Sequence, residues 1–283
     1  MPAPHSITAE KLARLIGQPT APRIVDMRTD AEFARDPRLI PGARRRRFAE
    51  PAHWAPEFGG QAVVVASGDG GDIADGVAAW LRQERVPAER LEGGVAGWAA
   101  AGLPLVPEAK LPRRDSNGRT VWVTRQRPKV DRIACPWLIR RFVDPAAVFL
   151  FVPPAEVAAV AARFDATPFD VEGDGIAWSH RGDRCTFDVM VEELGLTGFP
   201  ALEQLAVIVR GADTGHPEIV PEAAGLLAVS LGLSRMFADD IEQLDAGMLV
   251  YDALYRWCRD ATDEVHNWSS HQPRGARPAG DGR

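Results

Sequence analysis

Apolar positions along the chain recur in two rhythms. Ile24–Met27 is a short apolar run and Ala62–Ala66 (AVVVA) an unbroken β-branched one, both the pattern of buried strands. Asp72–Gln83 spaces its apolar residues as an amphipathic helix does. Strands alternating with helices over the first hundred residues predict an α/β domain with a mainly parallel sheet and helices on both faces. After residue 118 the pattern changes. Thr120–Thr124 and Val148–Val152 read as strands, and beyond Cys185 four helical stretches follow, at 186–194, 199–211, 220–233 and 239–258. Val106–Gly118 (VPEAKLPRRDSNG) mixes proline, charge and small polar residues without a period. The expected organisation is an α/β domain over 6–106, a linker at 107–118, a mostly helical α+β domain over 119–259, and a polar, disordered tail at 260–283.

A chain of 283 residues has room for two cores. No apolar run approaches the roughly 18 residues of a membrane span, and the N-terminus carries no basic segment leading into an apolar one. The three cysteines (135, 185 and 258) are too scattered for a disulfide framework and point to a reducing compartment, the cytoplasm. Net charge is −6, although Arg44–Arg47 form a basic run and 125–141 is basic as well. Such runs are usually solvated faces, so neither a nucleic-acid nor a membrane partner is expected.

The densest chemistry lies in Lys129–Phe142, KVDRIACPWLIRRF. Pro136 suits the first position of a helix, which makes Cys135 the N-cap, with Trp137, Leu138, Ile139 and Phe142 on the apolar face. A thiol at the positive end of a helix dipole and one turn from Arg132 favours thiolate. A buried structural cysteine is the other reading of the same residue.

Further on, WSHRGDRCTF (178–187) reads as a hairpin turning at R-G-D-R. His180 and Cys185 would then oppose each other with Cβ atoms roughly 4.5–5.5 Å apart. Two ligands of one ion need about that spacing, and His with Cys suits zinc or a similar transition metal. Cys135 is then the third ligand, with Asp131 or Asp213 as the carboxylate neighbour; the alternative is a cross-strand core pair beside Trp178 and Phe187. Arg132, Arg181 and Arg210 are candidates for holding a tetrahedral oxyanion. Arg140 and Arg141 read as structural, with Asp252 available to pair one of them. Arg210 and Asp213 stand three residues apart at a helix end. Cys258, His216, His266 and His271 carry no expected role.

Three segments of the first half resemble a rhodanese (sulfurtransferase) domain: VDMRTDAEF (25–33), LIPGA (39–43) and LEGGVAGWAAAGLPL (91–105). In active members a cysteine follows the central strand; here Ser67 stands there, followed by Gly68, Asp69, Gly70, Gly71 and Asp72. A serine hydroxyl cannot carry a sulfane sulfur, no histidine in the loop activates it, and Asp69 and Asp72 repel thiosulfate. A non-catalytic module docking a protein partner is expected, whose glycines still permit a backbone anion nest.

The second half resembles the C-terminal domain of ChrB-type chromate-resistance proteins. The matching segments are RPKVDRIACPWLIRRFVDP (127–145), SHRGDRCTFD (179–188), IVRGADT (208–214), PEAAGLLAVSLGLS (221–234) and MLVYDALYRWC (248–258). That resemblance implies a role in chromate-responsive regulation or resistance. The leading expectation is an accessory or sensor protein binding a chromate-like oxyanion or a metal ion. The alternatives are a thiol-dependent oxyanion reductase using Cys135, and a sulfurtransferase, which Ser67 disfavours.

Overall fold

A computed structural model describes residues 5–173 and 175–264; most of the expected tail, with His266 and His271, lies outside the described residues. The first half runs β1 (Ser6–Ile7), α1 (Ala9–Ala13), β2 (Arg23–Asp26), α2 (Asp30–Arg35), β3 (Arg38–Leu39), β4 (Ala43–Arg45), α3 (Pro51–Trp54), β5 (Val63–Ala66), α4 (Asp72–Gln83), β6 (Ala88–Leu91), α5 (Gly94–Ala100) and β7 (Val106–Pro107). Five of these strands form a parallel sheet in the order β1-β6-β5-β2-β4. The valine run of β5 occupies its centre, as β-branched residues buried on both faces should. Successive side chains alternate between two cores. Val63 and Val65 face Ala74, Val77, Ala78 and Leu81 of α4, whereas Val64 and Ala66 belong to a second cluster with Leu12, Phe33 and Trp98.

That second cluster does not stop at the domain. It continues through Trp137, Leu138, Phe142 and Tyr255 of the second half. Gly17, at φ +83°, passes so close that a Cβ there would lie 2.6 Å from the Phe142 ring, and the Gly42 N–H donates to the Phe142 carbonyl at 2.6 Å. The connecting segment differs from the expected linker. β7 pairs antiparallel with β3, Leu111 packs on the shared core, and Arg114 bridges to Thr120. Its lack of periodicity reflects short contacts on several sides rather than freedom.

The second half continues β8 (Val121–Arg125), α6 (Asp131–Phe142), β9 (Val148–Val152), α7 (Val157–Phe164), β10 (Thr167–Pro168), α8 (Thr186–Glu193), α9 (Pro200–Asp213), α10 (Pro221–Met236) and α11 (Asp240–Asp260). Its small sheet is parallel, in the order β10-β8-β9. The four expected helices are present, two to three residues longer at most C-terminal ends. None among the described residues is long and apolar enough to cross a membrane.

Helix α6 is the axis of this half. Ile133 through Ile139 are all buried, and Trp137 contacts Phe187, Tyr251 and Tyr255. Burial also moved its start. The helix begins at Asp131 rather than after Cys135, with Pro136 inside it. A proline there forfeits a hydrogen bond to the Arg132 carbonyl, a cost of about 3 kcal/mol in an exposed helix. Packing of the preceding turn outweighs it.

Candidate metal centre

Asp131, Asp170, Asp213 and His180 converge where the carboxyl ends of β8 and β10 meet the N-terminus of α8 and the last residue of α9. Two distorted backbones deliver them. Val130, just before Asp131, has φ +34° and ψ −96°, a conformation a β-branched residue rarely adopts. Its N–H donates to Ser230 Oγ (3.0 Å) and its carbonyl accepts from the Tyr251 hydroxyl (2.9 Å). The Gln243 amide holds the Pro128 carbonyl at 2.5 Å. Asp170 also has positive φ (+48°), fixed by donation of its N–H to the Trp178 carbonyl at 2.8 Å. Strain held by surrounding structure in this way marks positions where geometry matters more than stability.

His180 Nε2 lies 3.2 Å from Asp213 Oδ2, 3.4 Å from Asp170 Oδ1 and 3.5 Å from Asp131 Oδ2. One oxygen of Asp131, one of Asp170 and a ring nitrogen of His180 all fall within 4.8 Å of one another, the compactness a single ion requires. The Asp131 side chain is 1% exposed and that of His180 42%, so the centre is buried on one side and open on the other. Asp131 Oδ2 accepts from the Thr186 N–H (2.6 Å) and the Phe187 N–H (3.3 Å), satisfying the start of α8. Its other oxygen, Oδ1, is buried and has no hydrogen-bond partner in the structure. Asp213 is the last residue of α9, where the helix dipole disfavours a carboxylate.

The charge states follow from these contacts. Hydrogen bonds donated to Asp131, Asp170 and Asp213 push the His180 imidazole far above its ordinary range, and a cation bound there would take the place of that proton, because a ligating imidazole is neutral. Burial pushes Asp131 up, opposed by His180, while Asp213 and Asp170 add repulsion. Burial works the same way on Asp170, but His180, Thr186, Arg132 and Arg125 outweigh it and hold that carboxyl below its usual range.

The sequence-expected residues distribute unevenly around this centre. His180, Asp131 and Asp213 come together as expected. Cys135 and Cys185 are buried free thiols, and the compact donor group among the described residues contains neither. Cys135 lies one turn along α6 from Asp131 instead of capping the helix. Burial, then the Asp131 charge, push its pKa well up, and Arg132, expected to favour the thiolate, pairs with Asp170 at 3.3 Å. The capping thiol is Cys185, which accepts from the Asp188 N–H at the start of α8, while its own N–H donates to Asp188 Oδ2 at 3.1 Å. Burial pushes that thiol up too. The expected hairpin reduces to one antiparallel bridge, Arg181 to Arg184, because the chain enters α8 immediately afterwards.

The expected oxyanion arginines do not assemble. Arg132 faces Asp170, Arg181 pairs with Glu193 (2.5 Å), and Arg210 pairs with Asp188 (3.2 Å). Arg141 forms a two-pronged pair with Asp252 at 2.8 Å, and Trp137 Nε1 donates to the same carboxylate. Asp170 escaped the sequence reading. Its one signal is an acid set between the apolar Phe169 and Val171.

In the first half, Ser67 is buried and its Oγ accepts from the Gly70 N–H at 2.9 Å. Asp69 Oδ1 accepts from the Gly71 N–H, and the Ser67 and Gly68 carbonyls accept from the Val95 and Ala96 N–H groups. The loop's own oxygens therefore occupy two N–H groups of the expected anion nest.

Comparison with known proteins agrees with both halves. Residues 122–258 match the ChrB C-terminal domain and residues 8–101 the rhodanese-like domain. Protein ChrB of Cupriavidus metallidurans is 31% identical over 229 residues, an alignment covering 74% of this chain and 68% of that protein. The chain belongs to the ChrB family. Among solved structures, a rhodanese-like domain protein from Staphylococcus aureus is 25% identical, with 34% of this chain and 91% of that one covered and a TM-score of 0.31. A thiosulfate sulfurtransferase from Pseudomonas aeruginosa is 29% identical, covering 39% of this chain and 21% of that one with a TM-score of 0.33. This ChrB-family member thus carries a rhodanese-like α/β half ahead of its largely helical C-terminal half.

Proposed function

We propose that this ChrB-family chain is a cytoplasmic chromate-resistance accessory or sensor protein that holds a divalent cation on Asp131, Asp170 and His180, with Asp213 beside them. One observation carries the reading. Asp131, whose Oδ2 lies 3.5 Å from His180, has its other oxygen, Oδ1, buried without a partner, and an unpaired buried carboxylate oxygen is costly. A cation supplies that partner and removes the repulsion among the three acids.

The donor set, two carboxylates and one imidazole with Asp213 beside them and no sulfur, suits Mn²⁺, Fe²⁺ or Zn²⁺ more than a thiolate-selective ion. Three acids repel an oxyanion, and the nearby arginines are each already paired. A reductase built on Cys135 lacks its thiolate, because burial keeps that sulfur protonated. The test is elemental analysis of the purified full chain, followed by calorimetric titration with Mn²⁺ and Zn²⁺ after chelation. One bound ion per chain, lost in His180→Ala, supports the reading. Absence of metal together with no melting shift on adding Mn²⁺, Fe²⁺ or Zn²⁺ overturns it.

A further inference from the structure

The arginine run 44–47 takes no part in the metal centre. Arg45, the last residue of β4, and Arg46 and Arg47 just beyond it line, with Arg28, a cavity of about 400 Å³. Arg28 is committed to structure, with Nε and Nη2 donating to the Asp26 carboxylate, Nη2 also to the Arg38 carbonyl and Nη1 to the Asp36 carbonyl. The acidic partners of the others are exposed: Arg45, which also donates to the Arg28 carbonyl and lies over the Phe33 ring, pairs with Asp30, whose side chain is 91% exposed, and Arg46 with the half-exposed Glu57. Such partners contribute little and exchange readily with a better anion. Arg45 Nε and Arg46 Nε are buried with no acceptor, and no ion pair or hydrogen bond of the Arg47 guanidinium is found among the described residues.

A second cavity, of about 520 Å³, adjoins the first; Phe48 and Ala49 line both. Its walls include Pro51, Ile73, Val77 and Trp80, with Glu50 and His53 lining it too, and the rings of Phe48 (43% exposed) and Trp80 (50%) stand open to solvent. Volumes of this order are those of small-molecule sites. No residue of the Ser67–Asp72 loop lines either cavity, the nearest in sequence being Ile73 in the second.

An apolar cup with exposed aromatic faces beside a basic pocket with unsatisfied donors describes a ligand of two parts. We infer that the rhodanese-like half binds an aromatic phosphate monoester of nucleoside-monophosphate size, with phosphate on Arg45, Arg46 and Arg47 and the ring system between Phe48 and Trp80. Guanidinium groups match phosphate geometry, and a base stacked on an aromatic side chain gains without needing a particular sequence of donors.

The test is calorimetric titration of the full chain with adenosine 5′-monophosphate and, separately, with inorganic phosphate. The expected result is saturable binding of the nucleotide, about tenfold or more tighter than phosphate, since one stacked ring contributes about that factor. Trp80→Ala should bring nucleotide affinity down to that of phosphate. Arg46→Gln with Arg47→Gln should weaken both ligands by about tenfold or more. These residues are substantially exposed or surface-paired, so melting temperatures close to wild type confirm that each variant is folded. No saturable binding of the nucleotide overturns the inference. So does equal binding of the two ligands, or nucleotide binding indifferent to all three substitutions in folded protein. None of these outcomes bears on the metal centre, which is more than fifty residues away in sequence and uses none of these side chains.

Discussion

Two loops at the carboxyl ends of parallel strands, the usual place for ligands in such sheets, have gone opposite ways. After β5, the Ser67 loop has closed on itself. Its hydroxyl and the Asp69 carboxylate take up the Gly70 and Gly71 N–H groups that an anion would otherwise occupy. After β8, the loop ending at Val130 is strained, held by Ser230, Tyr251 and Gln243 from two other helices. It ends on a carboxylate with one oxygen unmatched. The difference teaches what the proposed function predicts of each: a loop whose polar groups satisfy each other offers a ligand nothing, whereas a strained loop that leaves a buried polar atom unmatched has room for one.

The sharpest way to break this comparison is to remove the ligands. His180→Ala and Asp131→Asn should each lower metal affinity by about a hundredfold or more, beyond the 10–100-fold typical of residues that only orient a ligand. Metal-dependent gain in melting temperature should vanish with it, since binding energy belongs to the folded state. Cys135→Ser and Cys185→Ser should leave metal content unchanged. Loss of metal in either cysteine variant, in folded protein, would return the thiols to the site.

The Ser67 loop makes the converse prediction. Wild-type protein should show no thiosulfate:cyanide sulfurtransferase activity, because Ser67 forms no persulfide. Ser67→Cys should remain at least about a hundredfold below an active rhodanese, the usual loss when anion-stabilising donors are missing. Asp69 and Asp72 still repel thiosulfate, and Gly71 is already engaged by Asp69. Substantial activity from that single change would show that the loop is poised rather than closed.

How far the sequence disclosed these two sites differs for a physical reason. The rhodanese-like half is built from local signals, a β-branched run, an amphipathic helix and turn glycines, and β5 and α4 fall within a residue of their expected limits. The candidate metal centre is assembled from four separate segments. His180 was legible from its spacing to Cys185, Asp131 from its place beside Cys135, and Asp213 from its spacing to Arg210 at a helix end. Asp170 was not, because its role depends on a left-handed backbone and on strand pairing that no local pattern reveals. Cys135 misled, because Pro136 normally marks a helix start and only the burial of Asp131–Cys135 moves that start one turn earlier.

A milder prediction separates position from ligation. Tyr251 touches no metal ligand through its hydroxyl; it holds the Val130 carbonyl at 2.9 Å. Tyr251→Phe should cost about 1 kcal/mol of stability for the lost buried hydrogen bond. Because Val130 is strained, relaxation should also shift Asp131 and weaken metal binding by about tenfold. Stability lost with affinity unchanged would mean that the strain serves packing alone.

The smallest expected effect tests the clasp between the halves, away from either loop. Glu193 on α8 receives Lys110 from the connecting segment and Arg181 from the turn before the helix. Lys110 and then Arg181 hold its carboxyl down at about 2. A carboxylate with a depressed folded pKa contributes stability above its unfolded value, near 4.5, and that contribution is lost as pH falls toward about 2. The pair with Lys110 is partly solvated, so screening limits its worth to under about 1 kcal/mol. Glu193→Gln should therefore lower the melting temperature slightly at pH 7, and by less at pH 3, where wild type has itself begun to lose the pairing. The contribution should shrink further in high salt. A substitution effect independent of both pH and salt would mean that Lys110 and Arg181 are not what Glu193 contributes. The junction would then rest on the apolar cluster of Phe142, Tyr255 and their neighbours alone.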